Sequence, residues 1–541
     1  MGHLDPRTGS AAGWRRAVPP WCATGRTQPI TDDDEAGAMT TTAGQLTQLT
    51  AGTLVPFGGD RFTTVGDELA AAFRAGDRLY VVHDDGALLH VPAAVSAAVT
   101  TSVDAAVAAA EAMRTVAPAA VAAFYRAFAD GLVGAWSAVA EANAQDVARA
   151  EGLGRSTTRL RVDERVRDQM ADGLRGWADV VERDAAQDAP PPRVTHEDWH
   201  VDVVTAPLGV VGFVFEGRPN VLADAAGVLA TGNTAVLRIG GDALGTASAI
   251  VEHALAPALR SSGLPDGAIS LVTSRERAAG WALFSDRRLS LAVVRGSGAA
   301  VAQLAAVARQ AGTPVSAHGT GGAWLVADPS ADATRFAAVV RHSLDRKVCN
   351  TLNVAVVTRD RAAELVPVLL AAADEAAAAR GTVARVHVVR GSEQWLPAGE
   401  LEREIEVHRA EGVVVEPRAS LLEADDLGHE WEWENSPELS VVVVDDVAQA
   451  VALFNAHSPR FVASLVGTDP QAWDAFVGAV DAPFVGDGFT RWVDGQYALQ
   501  QPELGLSNWE HGRLLGRAGV LTGADLTTRR LLARTATDQH R

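Results

Sequence analysis

The chain has 541 residues and a mass of 56.5 kDa, too long for one compact core and suited to two or three domains. Its 47 Lys and Arg against 67 Asp and Glu give a formal charge of −20, which argues against nucleic acid or an anionic membrane surface as a partner. Hydrophobic residues at 48% and charged residues at 21% describe a globular chain, and two cysteines, Cys22 and Cys349, exclude a disulfide framework or a Cys-rich metal site and fit a reducing, cytoplasmic compartment.

Residues 1–38 are rich in Gly, Pro, Thr and Asp and show no periodicity. They read as a disordered leader, or as sequence upstream of a true start at Met39. No apolar run follows Arg15 and Arg16, so no secretory signal is read. The Ala-rich stretch from Ala117 to Ala142 is broken by Arg126, Asp130 and Glu141, so no membrane span is read either. Residues 39–100 suggest a small helix–hairpin appendage. In it Asp67 caps a short helix, Gly76 stops that helix, and strands Arg78–Val82 and Ala87–Val91 flank the turn Asp84-Asp85-Gly86.

Helices dominate from Ser102, itself a cap candidate. Asp163–Val181 places Val166, Met170 and Leu174 on one stripe. Pro190, Pro191 and Pro192 break the chain, and Val194–Thr205 predicts a two-stranded projection around Asp198. Past Pro207 short apolar strands alternate with helices: Val210–Phe215, Thr234–Arg238, Ile269–Val272 and Leu289–Val294, then a second series from Ala323 to about Val466. That alternation implies parallel sheets covered on both faces, hence an α/β protein of at least two lobes.

Three segments carry chemistry. Cys349, in Asp345-Arg346-Lys347-Val348-Cys349-Asn350, precedes the apolar strand Leu352–Val357. Arg346 and Lys347 favour a thiolate there; the alternative is a small buried hydrophobe. Arg295-Gly296-Ser297-Gly298 turns from a strand into a helix. Such a turn exposes backbone N–H groups to an anion, or is an ordinary tight turn. Asn220, in Glu216-Gly217-Arg218-Pro219-Asn220, offers its amide to a developing oxyanion or caps the next helix.

Pro207-Leu208-Gly209-Val210, Arg218-Pro219-Asn220-Val221, Asp224-Ala225-Ala226 and Gly232-Asn233-Thr234-Ala235-Val236-Leu237-Arg238 resemble the γ-glutamyl phosphate reductases of the aldehyde dehydrogenase superfamily. Leu160 to Glu164, Val348-Cys349-Asn350, Thr490-Arg491-Trp492 and Glu503 to Ser507 continue the likeness, which spans roughly residues 102–536. The resemblance implies a Rossmann-like cofactor domain over 101–317, with a two-stranded oligomerisation arm at about 193–206. A catalytic α/β domain would follow over 318–500, and 501–541 would pack on the cofactor domain or the arm.

It further implies that Cys349 attacks an acyl phosphate, expels phosphate and forms a thioacyl enzyme, which hydride from NADPH converts to the semialdehyde. Asn220 and the Cys349 backbone N–H would form the oxyanion hole. Arg238 would hold the 2′-phosphate of NADP, the alternative being a surface pair with Asp242. Gly296 and Ser297 fall at the cofactor turn, and Glu434 falls, across a one-residue gap, at the nicotinamide ribose. Arg218, Asn350 and Arg491 would bind substrate, and no metal is implied. Partners would be a second copy, in a homodimer or dimer of dimers, and an upstream kinase supplying the acyl phosphate.

Ala317 stands near the position where acid-forming relatives carry a deacylating Glu, with His318 beside it as a substitute base to weigh. The chain departs from the reductase pattern at Gly321-Gly322-Ala323-Trp324, at Asn353 and at Ser458-Pro459-Arg460-Phe461-Val462-Ala463, segments expected to shape the substrate pocket. The alternatives are a paralogue reducing another acyl phosphate, an acyl-CoA or a carrier-bound acyl group, and a noncatalytic paralogue.

Overall fold

Val210–Phe215 is buried at every position because its side chains alternate between two helical layers. Val211, Phe213 and Phe215 face a core built with helices Pro118–Gly134, Trp136–Gly152 and Glu164–Ala186. Val210 and Val214 face the opposite core, with helices Ala93–Met113, Ala278–Phe284 and Gly298–Gln310. Asp163 caps the third of these helices, accepting from the Val166 N–H, and Met170 and Leu174 are buried as their spacing predicts.

The computed structural model describes residues 44–493 apart from 156, 158, 188, 189, 297, 410 and 411, and also 503–505, 509–510, 513–514, 521–522 and 525–535. The proposed leader, Cys22 and Ser297 lie outside the described residues. Strand Val210–Phe215 is central in a parallel five-stranded sheet, in the order Val315–His318, Leu289–Arg295, Val210–Phe215, Thr234–Ile239, Ile269–Leu271. A second sheet has seven parallel strands, in the order Ala419–Leu422, Arg385–Val389, Glu438–Val444, Leu352–Thr358, Ala323–Ala327, Val462–Val466, Phe484–Gly486. Helices Ala333–Ser343 and Arg359–Ala378 cover one face of it. Helices Val447–His457 and Pro470–Ala479 cover the other.

The N-terminal region differs from its sequence reading. Strands Arg78–Val81 and Leu88–Val91 pair as expected, and a further hairpin joins Leu54–Phe57 to Arg61–Thr64. The short helix Asp67–Ala72 starts after Gly66, with no side-chain cap bond, and ends at Phe73, before Gly76. Ser102 is no cap: it sits inside helix Ala93–Met113, its hydroxyl turned back to the Ala98 carbonyl. The boundary expected at residue 100 therefore falls mid-helix. Val82, Leu89, Val91, Val95 and Val99 share one core with Val210, Val214 and Val236 of the first sheet, so the hairpin and this helix belong to the lobe of the first sheet. This helix is long and apolar enough to cross a bilayer by length and composition, yet it packs Val95, Val99, Val103 and Ala106 into that core.

The arm has three strands rather than two. Trp199–Pro207 is flanked by Arg193–Thr195 and, from the far end of the chain, by Thr527–Thr535, both antiparallel. Asn233, fully buried, ties this end to the sheet: it accepts from the Gly209 N–H and donates to the Leu526 carbonyl.

Candidate active site

In the first sheet, chain order runs to one side of Val210–Phe215 and then returns to the other side at Leu289–Arg295. Ligands of open α/β sheets bind outside the carboxyl ends of the strands at such a reversal. Phe215 and Arg295 are register partners there, and the Glu216 N–H donates to the Arg295 carbonyl. A cavity of about 540 Å³ opens at this point. The first sheet supplies Glu216, Arg218, Asn220, Arg295, Gly296 and His318 to its wall, and the second lobe supplies Cys349, His429, Glu430 and Glu432.

Cys349 is a free thiol in the loop between helix Ala333–Ser343 and strand Leu352–Thr358. Thr351 pins that loop, its hydroxyl donating to the Arg346 carbonyl and accepting from the Val348 N–H. The Cys349 carbonyl accepts from Gly322 N–H at 2.7 Å. A Cβ on Gly321 would meet the Cys349 carbonyl oxygen at 2.6 Å, and Gly322 has φ +108°, so both glycines are required by this close approach. Burial pushes the thiol up, against the opposing pull of Arg218, Arg295 and Lys347, while Glu430 also raises it. Lys347 thus favours the thiolate, as its place in the sequence suggests, while burial opposes it more strongly.

Asn220 lines the cavity and makes no side-chain cap bond to helix Val221–Ala226. Arg218 lines it too, paired with Glu216 at 2.5 Å, and its Nε is buried without a partner. Burial would raise the Glu216 carboxyl, but Arg218 and Arg159 hold it below the usual range. His318 is pushed down to about 3 by burial and by Arg295 and Arg218, so its ring is neutral throughout the neutral range.

Four expected site residues, Asn350, Arg491, Glu434 and Arg238, lie outside this cavity wall. Asn350 donates to the Val493 carbonyl and accepts from Arg491, which also binds Asp345. Both fasten the cysteine loop to the segment Thr490–Val493 rather than line the cavity. Glu434 is exposed and outside the cavity wall; the acids of that loop that reach the cavity are Glu430 and Glu432. Of the departures from the reductase pattern, Trp324 is a core residue, stacked edge-on to Phe454.

Arg238 is 9% exposed. It donates to the carbonyls of Arg275 and Glu276, no carboxylate pairs with it among the described residues, and its Nε has no partner. Asp242 instead pairs with Arg155. Burial and the neighbouring Arg277 lower the Arg238 guanidinium. A buried, uncompensated cation with a free donor fits an anionic cofactor group.

Sequence reasoning missed Arg159 and Glu430. Arg159 lies in a short turn without periodicity, and Glu430 is about 80 residues beyond the cysteine in an irregular loop.

The aldehyde dehydrogenase family model matches residues 80–387. The γ-glutamyl phosphate reductase of Bradyrhizobium sp. strain ORS 278 is 32% identical over 403 residues, covering 70% of this chain and 82% of that protein. The enzyme of the same name from Rhodopseudomonas palustris strain BisB18 is 31% identical, covering 75% and 87%. The crystal structure of γ-glutamyl phosphate reductase from Thermotoga maritima superposes with a TM-score of 0.68 at 21% identity, over 82% of this chain and 99% of that one. An indole-3-acetaldehyde dehydrogenase in complex with NAD+ gives 0.60 at 18% identity, over 90% and 97%. The family model and these relatives show that the chain belongs to the aldehyde dehydrogenase family.

Proposed function

We propose that the protein reduces an acyl phosphate of the γ-glutamyl phosphate type to its semialdehyde, with NADPH, through a thioacyl intermediate on Cys349. The observation that carries this reading is the cavity wall. It joins a free cysteine to Arg218 and Arg295, and Ala317 stands near the position where acid-forming relatives carry the deacylating Glu. Cys349 Sγ bonds to the acyl carbon and the carbon–oxygen bond to phosphate breaks, the thiol proton passing to the departing phosphate, which leaves as the hydrogen phosphate dianion held by the arginines. Asn220 and the Cys349 N–H hold the oxyanion. The nicotinamide, when bound, supplies hydride, and the carbon–sulfur bond then breaks to release the aldehyde.

The reverse reaction tests this on a panel of short semialdehydes with NADP. NADP reduction should require inorganic phosphate; phosphate-independent oxidation to the free acid would remove the reading. The same panel tests a second reading, a less polar acyl group. Phe461, which replaces a polar position of the family pattern, is fully buried beside His318 and shares an apolar cluster with Phe484 and Cys349.

The cofactor preference rests on Arg238. A charge-assisted pair to a 2′-phosphate contributes roughly 1.5–3 kcal/mol, about ten- to a hundredfold in relative affinity. Arg238→Ala should raise KM for NADPH by that factor and leave KM for NADH nearly unchanged, measured by steady-state kinetics. Equal weakening of both would make Arg238 structural.

The protein would act in a reducing compartment, the cytoplasm, where a free Cys349 persists, downstream of a kinase that makes the acyl phosphate. The arm exposes Val194, Leu531 and Leu532 on edge strands, a surface suited to pairing between copies. Light scattering at micromolar concentration should give a dimer or a dimer of dimers; a monomer alone would remove this reading.

A further inference from the structure

Glu430 has its carboxylate held on two sides. One oxygen accepts from the Gly321 N–H and the other from Lys347 Nζ, each at 2.5 Å. Lys347 is 6% exposed at its side chain and stands two residues before Cys349. A single point, the Cβ that Gly321 lacks, lies 2.7 Å from both the Cys349 Cα and Glu430 Oε1, so this ion pair abuts the nucleophile loop.

The peptide that carries Glu430 is bolted on both flanks by one residue. Asn353 donates to the His429 carbonyl at 2.8 Å and accepts from the Trp431 N–H at 3.0 Å. The Trp431 ring stacks on His387 at 3.5 Å, and its indole N–H donates to Ser440. A loop fixed this heavily, at a cavity wall, is the arrangement by which a charge is kept in one place.

We propose that Asn353, Glu430 and Lys347 form a positioning unit for Cys349, in which Asn353 fixes Glu430 and Glu430 holds the Lys347 ammonium against the cysteine loop. The proposal rests on the reading of Cys349 as the nucleophile. Arg218 and Arg295 from the ends of two first-sheet strands, Lys347 from its own loop and Glu430 from the loop opposite act on the thiol; Glu216 and Glu432 share the cavity wall, Glu432 at 3.8 Å from Lys347. The two members of the pair act on it with opposite sign, Lys347 favouring the thiolate and Glu430 the thiol.

The test is the pH dependence of iodoacetamide alkylation of Cys349 on the full chain. Lys347→Met should move the midpoint up by about one pH unit and slow alkylation at pH 7 about tenfold; Lys347→Arg should restore it. Glu430→Gln, nearly isosteric, should move the midpoint down by a similar amount, and Asn353→Ala should follow it in direction. A purely structural unit would not shift the midpoint with opposite signs. Unchanged midpoints in folded Lys347→Met and Glu430→Gln, checked by thermal melting, would overturn the proposal, as would shifts of the same sign. An unmoved Asn353→Ala profile would overturn the part given to Asn353. Alkylation needs no acyl substrate, so failure here is distinct from failure of the nucleophile reading, which would show as turnover surviving in Cys349→Ser.

Discussion

Cys349→Ser is expected to lower turnover by about 10³-fold or more while cofactor binding stays near wild type. A serine hydroxyl is a far weaker nucleophile than a thiolate and needs a base to take its proton. His318, the sole imidazole candidate identified in the sequence, titrates at about 3 through burial and the charges of Arg295 and Arg218. The Glu430 carboxylate is held by Gly321 N–H and Lys347. Single-turnover reduction monitored at the nicotinamide absorbance, alongside cofactor titration by fluorescence, separates chemistry from binding. Turnover within tenfold of wild type would take Cys349 out of the mechanism.

Asn220→Ala should lower kcat by about 10²–10³-fold, the loss expected for one oxyanion donor, with KM changing little. The side chain makes no cap bond to the helix that follows it, so its removal should leave the melting temperature almost unchanged. That combination separates a role in the transition state from one in folding. A raised KM at constant kcat would instead mean that Asn220 holds the bound substrate equally before and during reaction.

Local pattern carried far in the sequence. Strands such as Val210–Phe215 and Leu352–Thr358 are continuous apolar runs because both sheet faces are covered by helices, and such runs are readable without a structure. The hairpin around Asp84-Asp85-Gly86 is equally local. So are the cysteine before a strand, Asn220 and Arg218 after another, and Arg238 at a strand end: each depends on a few neighbouring residues.

What failed needed distant contacts. Ser102 resembles a cap, but burial of Val95 and Val99 against the first sheet carries the helix back to Ala93, so propensity yields to packing. The third strand of the arm comes from Thr527–Thr535, more than 300 residues from its partner Trp199–Pro207, and no local signal pairs them. Asn350 and Arg491 have the chemistry of substrate ligands, yet their hydrogen bonds are to each other, to Val493 and to Asp345. Glu430 rather than Glu434 lines the cavity, on a peptide that Asn353 holds on either side. Residue type and local period thus determined the elements and the candidate chemistry. Which polar groups face the cavity, and which are consumed in holding it together, was decided by tertiary contacts, because a hydrogen-bonding side chain is committed by whatever partner the fold brings within about 3 Å.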